Sequence, residues 1–173
     1  MSNRKGKKKK TPTIPVRPVD RRLDAFQVTY KDFALKEVSV VLCTLGILGL
    51  IWTIPFPAFE FLGKFNGFFN WASILIAFVI YFYYRLAPVL SYLVIFIIGI
   101  YSYCIVQLEY WAAGGGPAFW LSTLLVFLLG GILYFSWSLK TKQGTRFADF
   151  LNFMLIGPLY LASRMIRLLK LPY

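Results

Sequence analysis

Asp149 and Asn152 are three residues apart, the separation that puts two side chains on one face of a helix. Together they are the strongest polar pair near a membrane edge in this chain. A carboxylate close to lipid needs a partner, and Arg146 and Arg85 lie on the same side of the apolar runs described below. The chemistry expected of them is a structural ion pair rather than catalysis. With Ser138, these residues make up the candidate polar contacts to lipid or to a partner: Arg85, Ser138, Arg146, Asp149 and Asn152. Other reactive groups are scarce. The chain has no histidine, which removes the usual proton shuttle, the commonest metal ligand and every Ser–His or Cys–His nucleophile. Cys43 and Cys104 both lie inside apolar runs with no CxxC, so they read as small hydrophobes rather than a disulfide framework. Gly114-Gly115-Gly116 precedes no Lys-Ser or Lys-Thr and reads as a turn, not a phosphate loop. Glu60 and Glu109 fall at run edges, where solvation accounts for them; a polar mouth built from Gln107 and Glu109 is the alternative.

The elements that must position these residues are unusually legible. Val38–Phe59, Phe65–Tyr84, Leu86–Leu108 and Tyr110–Leu139 contain no charged residue. A transmembrane helix needs about 20 largely apolar residues, and in lipid only helices or closed barrels satisfy the backbone. These runs lack the short alternating pattern of barrel strands. The fold class expected is therefore an all-α membrane protein with four transmembrane helices, over about 38–54, 68–84, 87–108 and 117–139. Pro55-Phe56-Pro57 ends the first, Arg85 and Pro88 make a tight turn between the second and third, and Gly114–Pro117 precedes the fourth. Ahead of them, residues 1–19 read as a disordered polybasic tail and residues 20–173 as one polytopic domain. Asp20 is placed to cap an amphipathic surface helix over 20–36, with Leu23, Phe26, Tyr30 and Phe33 on one face. At the other end, 146–170 reads as an interfacial or re-entrant helix, interrupted at Gly157-Pro158.

Charge placement orients this bundle. The net charge is +12, and eleven of the 19 basic residues precede the first apolar run. A polybasic segment beside a membrane is a topology signal and a weak contact to anionic lipid. Nothing accompanies it that would read nucleic acid, so no nucleic-acid partner is expected. With four spans, 18 basic residues fall on one side and only Lys64 on the other. That puts both termini in the cytoplasm, in what reads as a bacterial inner membrane. Spans without a central charge or a broken helix disfavour an ion pump or secondary transporter. Ser73, Ser91, Ser102, Thr123 and Ser136 are expected to bond helix backbones. Most aromatics near the run edges, Trp52, Trp71, Tyr81, Tyr83, Tyr84, Tyr110, Trp111, Trp120 and Trp137 among them, read as interface anchors or helix packing.

Asp149-Phe150-Leu151-Asn152-Phe153-Met154-Leu155-Ile156-Gly157-Pro158 resembles the D-x-L-Q-F-L-L-I-G-P stretch that closes bacterial members of the Mpo-like family. Gly49-Leu50-Ile51-Trp52-Thr53-Ile54-Pro55-Phe56-Pro57 resembles the end of that family's first span. The resemblance covers Phe26 to Tyr173 and implies the same layout of surface segment, four spans and C-terminal amphipathic helix. It also implies a dioxygenase that uses ferrous iron to shorten 2-hydroxy fatty acids, with histidines at the iron. Aligned on the two motifs, those histidines would fall on Gln27, Lys36 and Ser138, and a following glutamate on Thr141. Every one is replaced, and the residues present are poor ligands for iron.

The function expected is thus that of a divergent, non-catalytic member, a pseudoenzyme holding lipid or acyl chains or binding a membrane partner protein, with no cofactor. Two alternatives stand beside it. One is an iron-dependent dioxygenase with a histidine-free site built from Asp32, Glu37 and Asp149. The other is a structural subunit of a membrane complex.

Overall fold

A computed structural model describes residues 17–57, 59, 60, 63 and 69–168. Residues 1–16 of the expected 1–19 tail, Lys64, the Asn66-Gly67 turn and Lys170 lie outside the described residues; Pro18 and Val19, expected in that tail, are helical. Among these residues six helices follow in order: α1 (Pro18–Thr29), α2 (Lys36–Trp52), α3 (Trp71–Leu86), α4 (Pro88–Ala113), α5 (Phe119–Thr141) and α6 (Phe147–Leu168). No strand occurs among the described residues.

Two helices, α4 and α5, are long and apolar enough to cross a membrane, where the uncharged runs led us to expect four. The 17 residues of α2 and the 16 of α3 are fewer than the sequence allows, because their ends are set by breakers rather than by charge. Helix α2 stops at Trp52, ahead of Pro55 and Pro57, which cannot extend it. Helix α3 starts at Trp71 because Asn70 caps it: the Asn70 side chain accepts from the Ser73 N–H at 2.8 Å, and Ser73 Oγ accepts from the Asn70 N–H at 3.1 Å.

Asp20 does not cap α1. Pro18, preset for the first helical turn, starts the helix earlier, and Asp20 sits inside that turn, paired with Arg17 at 2.9 Å. Nor does α1 run to Lys36. After Thr29 the chain makes turns, with the Phe33 N–H on the Tyr30 carbonyl and the Lys36 N–H on that of Phe33. These turns redirect it from α1 into α2.

Helices α2 and α5 form the closest pair. A Cβ on Gly46 would lie 2.5 Å from the Phe127 backbone nitrogen, and one on Gly130 2.7 Å from that of Cys43. Ser39 Oγ donates across the pair to the Gly130 carbonyl at 2.8 Å, a hydrogen bond between helices of the kind small-residue contacts allow. Helices α3 and α4 form a hairpin joined through Ala87 alone. Helix α6 packs on α1, α2 and α4 and runs unbroken through Pro158, contrary to the expected interruption at Gly157-Pro158. Gly157 lies so close to Val40 that a Cβ would be 2.6 Å from its methyls, and the Tyr83 hydroxyl donates to the Leu155 carbonyl. Because Pro158 has no N–H, the neighbouring Met154 carbonyl loses its helical donor. The contacts from α2 and α3 brace the helix where it is weakest.

Candidate functional site

Five helices leave a cavity of about 490 Å³ between them, within the range of about 300–1,000 Å³ typical of ligand sites. Leu48 of α2, Val79 of α3, Ile98 of α4, Phe127 of α5, and Phe150 and Met154 of α6 line its walls. Among the described residues no Lys, Arg, Asp or Glu lines it. Three hydroxyl side chains do: Thr44, Tyr83 and Tyr101. Tyr83 is committed to the Leu155 carbonyl. The Thr44 and Tyr101 hydroxyl oxygens are buried and meet no hydrogen-bond partner. Sequence reading assigned no role to Thr44 or Tyr101 and grouped Tyr83 with the edge aromatics. In fact Tyr81 and Tyr84 are exposed while Tyr83 is 1% exposed. The signal that distinguishes it is helical position: Tyr83 shares a face with Val79 and Ile76, three and four residues apart, and that face turns inward.

The residues singled out from sequence sit elsewhere, where α1 and α6 meet beside the end of α5. Asp149 and Asn152 line a second, shallower pocket of about 370 Å³ together with Arg22, Thr29 and Tyr30. The Asp149 carboxylate accepts the backbone N–H of Arg146 at 3.2 Å, and its carbonyl accepts the Tyr30 hydroxyl at 3.3 Å. The expected ion pair with the Arg146 or Arg85 side chain does not form. Arg85 instead reaches Tyr81, one turn back on its own helix, at 3.4 Å. Ser138 donates to the Gln143 carbonyl at 2.6 Å and closes the end of α5. Glu37 pairs with Arg164. Among the described residues no three His, Cys, Asp or Glu side chains form a group that could hold a metal, so Asp32, Glu37 and Asp149 are not brought together. The expected bonding of Ser73, Ser91 and Thr123 to helix backbone carbonyls is observed.

Beneath this polar rim is a dense aromatic cluster. Tyr30 lies 5.1 Å from Trp137 and 5.0 Å from Phe153 between ring centroids, Tyr134 lies 4.7 Å from Phe153, and Phe26 lies 4.9 Å from Tyr160. Such separations are those at which rings attract beyond their buried area. Burial raises the pKa of the Tyr30 phenol; the Tyr134 hydroxyl partly offsets this, and the nearby Asp149 charge adds to it. No protein-family model matches the chain, and no curated protein or solved structure is found similar to it.

Proposed function

We propose that this is an integral membrane protein, a non-catalytic divergent member of the Mpo-like family, that holds a lipid hydrocarbon chain in the cavity between α2, α3, α4, α5 and α6. The carrying observation is the cavity itself: about 490 Å³, almost wholly apolar, and without a charged wall residue among the described residues. The outer surface supports a lipid setting. Tyr92 and Phe96 on α4, and Leu129 and Ile132 on α5, are 68%, 60%, 56% and 59% exposed. A protein in water rarely exposes so many large apolar side chains. In this reading all four uncharged runs cross the bilayer, the two shorter helices completing their passage with the apolar residues that flank them, and the basic ends face the cytoplasm.

The non-catalytic part of the reading rests on what occupies the positions where the resemblance puts the family's ligands. Gln27 follows Phe26 of the aromatic cluster, and Ser138 follows Trp137. Lys36 gives its ammonium to the Tyr30 carbonyl at 3.2 Å and lies 5.6 Å from the Tyr160 ring centroid. An amide, an ammonium and a hydroxyl stand at these positions, a donor set that does not suit ferrous iron.

Photo-labelling in lipid nanodiscs tests the reading. Palmitate-length chains carrying a mid-chain diazirine, and ending in methyl, hydroxyl or carboxylate, should give saturable labelling of cavity peptides with at least one end group. Met154→Trp, which fills the cavity, should abolish it. Labelling that never saturates with any of the three would end the proposal.

A further inference from the structure

We infer that the shallower pocket between α1 and α6 holds the headgroup of a zwitterionic membrane lipid, a phosphoethanolamine, with Arg22 on its phosphate and Asp149 on its ammonium. The inference rests on the chain being a membrane protein, and not on what fills the apolar cavity. The two sites lie on different faces of α6. Asp149, Asn152 and Ile156 line the pocket, while Phe147, Leu151, Met154 and Pro158 line the cavity, each set at spacings of three and four.

Two opposite charges line this pocket without meeting. Arg22 forms no ion pair: those among the described residues join Arg17 to Asp20 and Arg164 to Glu37. The Asp149 carboxylate takes the Arg146 backbone N–H on Oδ2, which leaves Oδ1 open to a further donor. Both are within a ligand's reach. Arg22 and Asn152 are exposed and Asp149 is partly buried, above a floor of buried Phe26, Tyr30 and Ile156. A solvated surface charge needs no partner; what singles these two out is that they share one concave site. A simple anion there is repelled by Asp149, and a simple cation by Arg22. A molecule that carries both charges on a two-carbon bridge satisfies each wall. The guanidinium fork matches phosphate oxygens, and a carboxylate and an amide carbonyl both accept from a primary ammonium. The surroundings favour lipid as the source. Val28 precedes Thr29 of the pocket, Leu151 precedes Asn152, and both are exposed apolar side chains. Polar pocket and apolar surface therefore adjoin, as a headgroup and its chains do. This preference runs against net charge. A chain of +12 attracts anionic lipid along its whole basic side, but that attraction is diffuse and screened by salt, whereas the pocket is balanced in charge.

The test titrates the full-length protein, in maltoside micelles at raised salt, with phosphatidylethanolamine and phosphatidylglycerol of identical chains, and counts bound lipid by native mass spectrometry. Asp149→Asn keeps an acceptor for the Arg146 N–H and removes the charge. It should weaken phosphatidylethanolamine about threefold, the worth of one exposed ion pair, and should not weaken phosphatidylglycerol, whose repulsion it lifts. Arg22→Gln should weaken both, because both offer a phosphate. Glycerophosphoethanolamine, the same headgroup without chains, should displace the lipid far less well than the whole lipid does. Equal losses of both lipids in Asp149→Asn would make the carboxylate structural and overturn the inference. An affinity for phosphatidylethanolamine that neither variant changes overturns it too. Displacement by the free headgroup as effective as by the lipid would make the pocket a site for a soluble zwitterion, and the lipid assignment would fall. Met154→Trp should leave both affinities unchanged; if it removes the bound phosphatidylethanolamine, the lipid sits in the cavity, and the pocket loses its ligand while the cavity reading stands. Retention of neither lipid overturns the pocket assignment, and saturable labelling of the cavity then judges that site separately.

Discussion

Tyr83 is the residue on which the interior depends most. It is almost wholly buried, borders the cavity, and ties α3 to α6 through a hydroxyl on the Leu155 carbonyl, next to the Met154 carbonyl that Pro158 leaves without a helical donor. Tyr83→Phe keeps the ring and removes the bond, so it should cost about 1–2 kcal/mol of stability, read as a lower midpoint in detergent unfolding. Tyr30 makes a different prediction. Its phenol is harder to ionise in the fold than in the unfolded chain, whose value is about 10. Below that pH both states keep the proton and the stabilisation is complete. Above it the unfolded chain loses its proton first, so stability falls as pH rises toward the folded value. Unfolding midpoints should drop above pH ~10, and Tyr30→Phe should flatten the drop; equal slopes for both proteins would refute it. None of this could be read from residue type. Tyr81, Tyr83 and Tyr84 are the same residue near the same predicted edge, and only the direction of the α3 face tells the buried one from the exposed pair.

Among the elements, α2 and α5 are fixed by missing side chains. Gly46→Ala would put a methyl against the Phe127 backbone, which cannot yield as the end of a flexible side chain can. The expected loss is about 1–3 kcal/mol. Gly131→Ala is the control, because nothing lies within 4 Å of a Cβ there and alanine is the better helix former; it should be neutral or stabilising. Comparable losses from both would mean that the close approach is not what sets the pair. The helices themselves were largely legible: uncharged runs, the Arg85–Pro88 turn and the tri-glycine turn placed four of them within a few residues of their observed positions. Their ends were not, where capping decided. Charge and hydropathy do not register the Asn70–Ser73 reciprocal cap, the start of α1 at Pro18 instead of Asp20, or its end at Thr29. The route of α6 through Pro158 was hidden for a related reason: the contacts that tolerate the proline come from α2 and α3, far away in sequence.

For the whole molecule, the alternation of helices makes a topological prediction. If the uncharged runs cross the bilayer, the Ala87 turn and the 142–146 connection share one side, and Gly115 lies on the other. With Cys43 and Cys104 replaced, single cysteines at Arg85 and Lys142 should react with an impermeant maleimide only in inside-out vesicles, and one at Gly115 only in right-side-out vesicles. Reaction of all three from the same side would refute the four-span arrangement. The pairing of α2 with α5 also has a history. Ser39 and Gly130 are 91 residues apart in the chain, so at roughly 5–20 residues per second a ribosome needs on the order of 5–20 seconds to deliver α5 after α2 has emerged. Throughout that interval α2 is a short, glycine-notched helix with its partner not yet made. The α3–α4 hairpin, joined by a single residue, can close within moments of its own synthesis. A nascent chain therefore builds its periphery before its centre, and the step most open to a membrane insertase or a quality-control protease is the wait of α2 for α5.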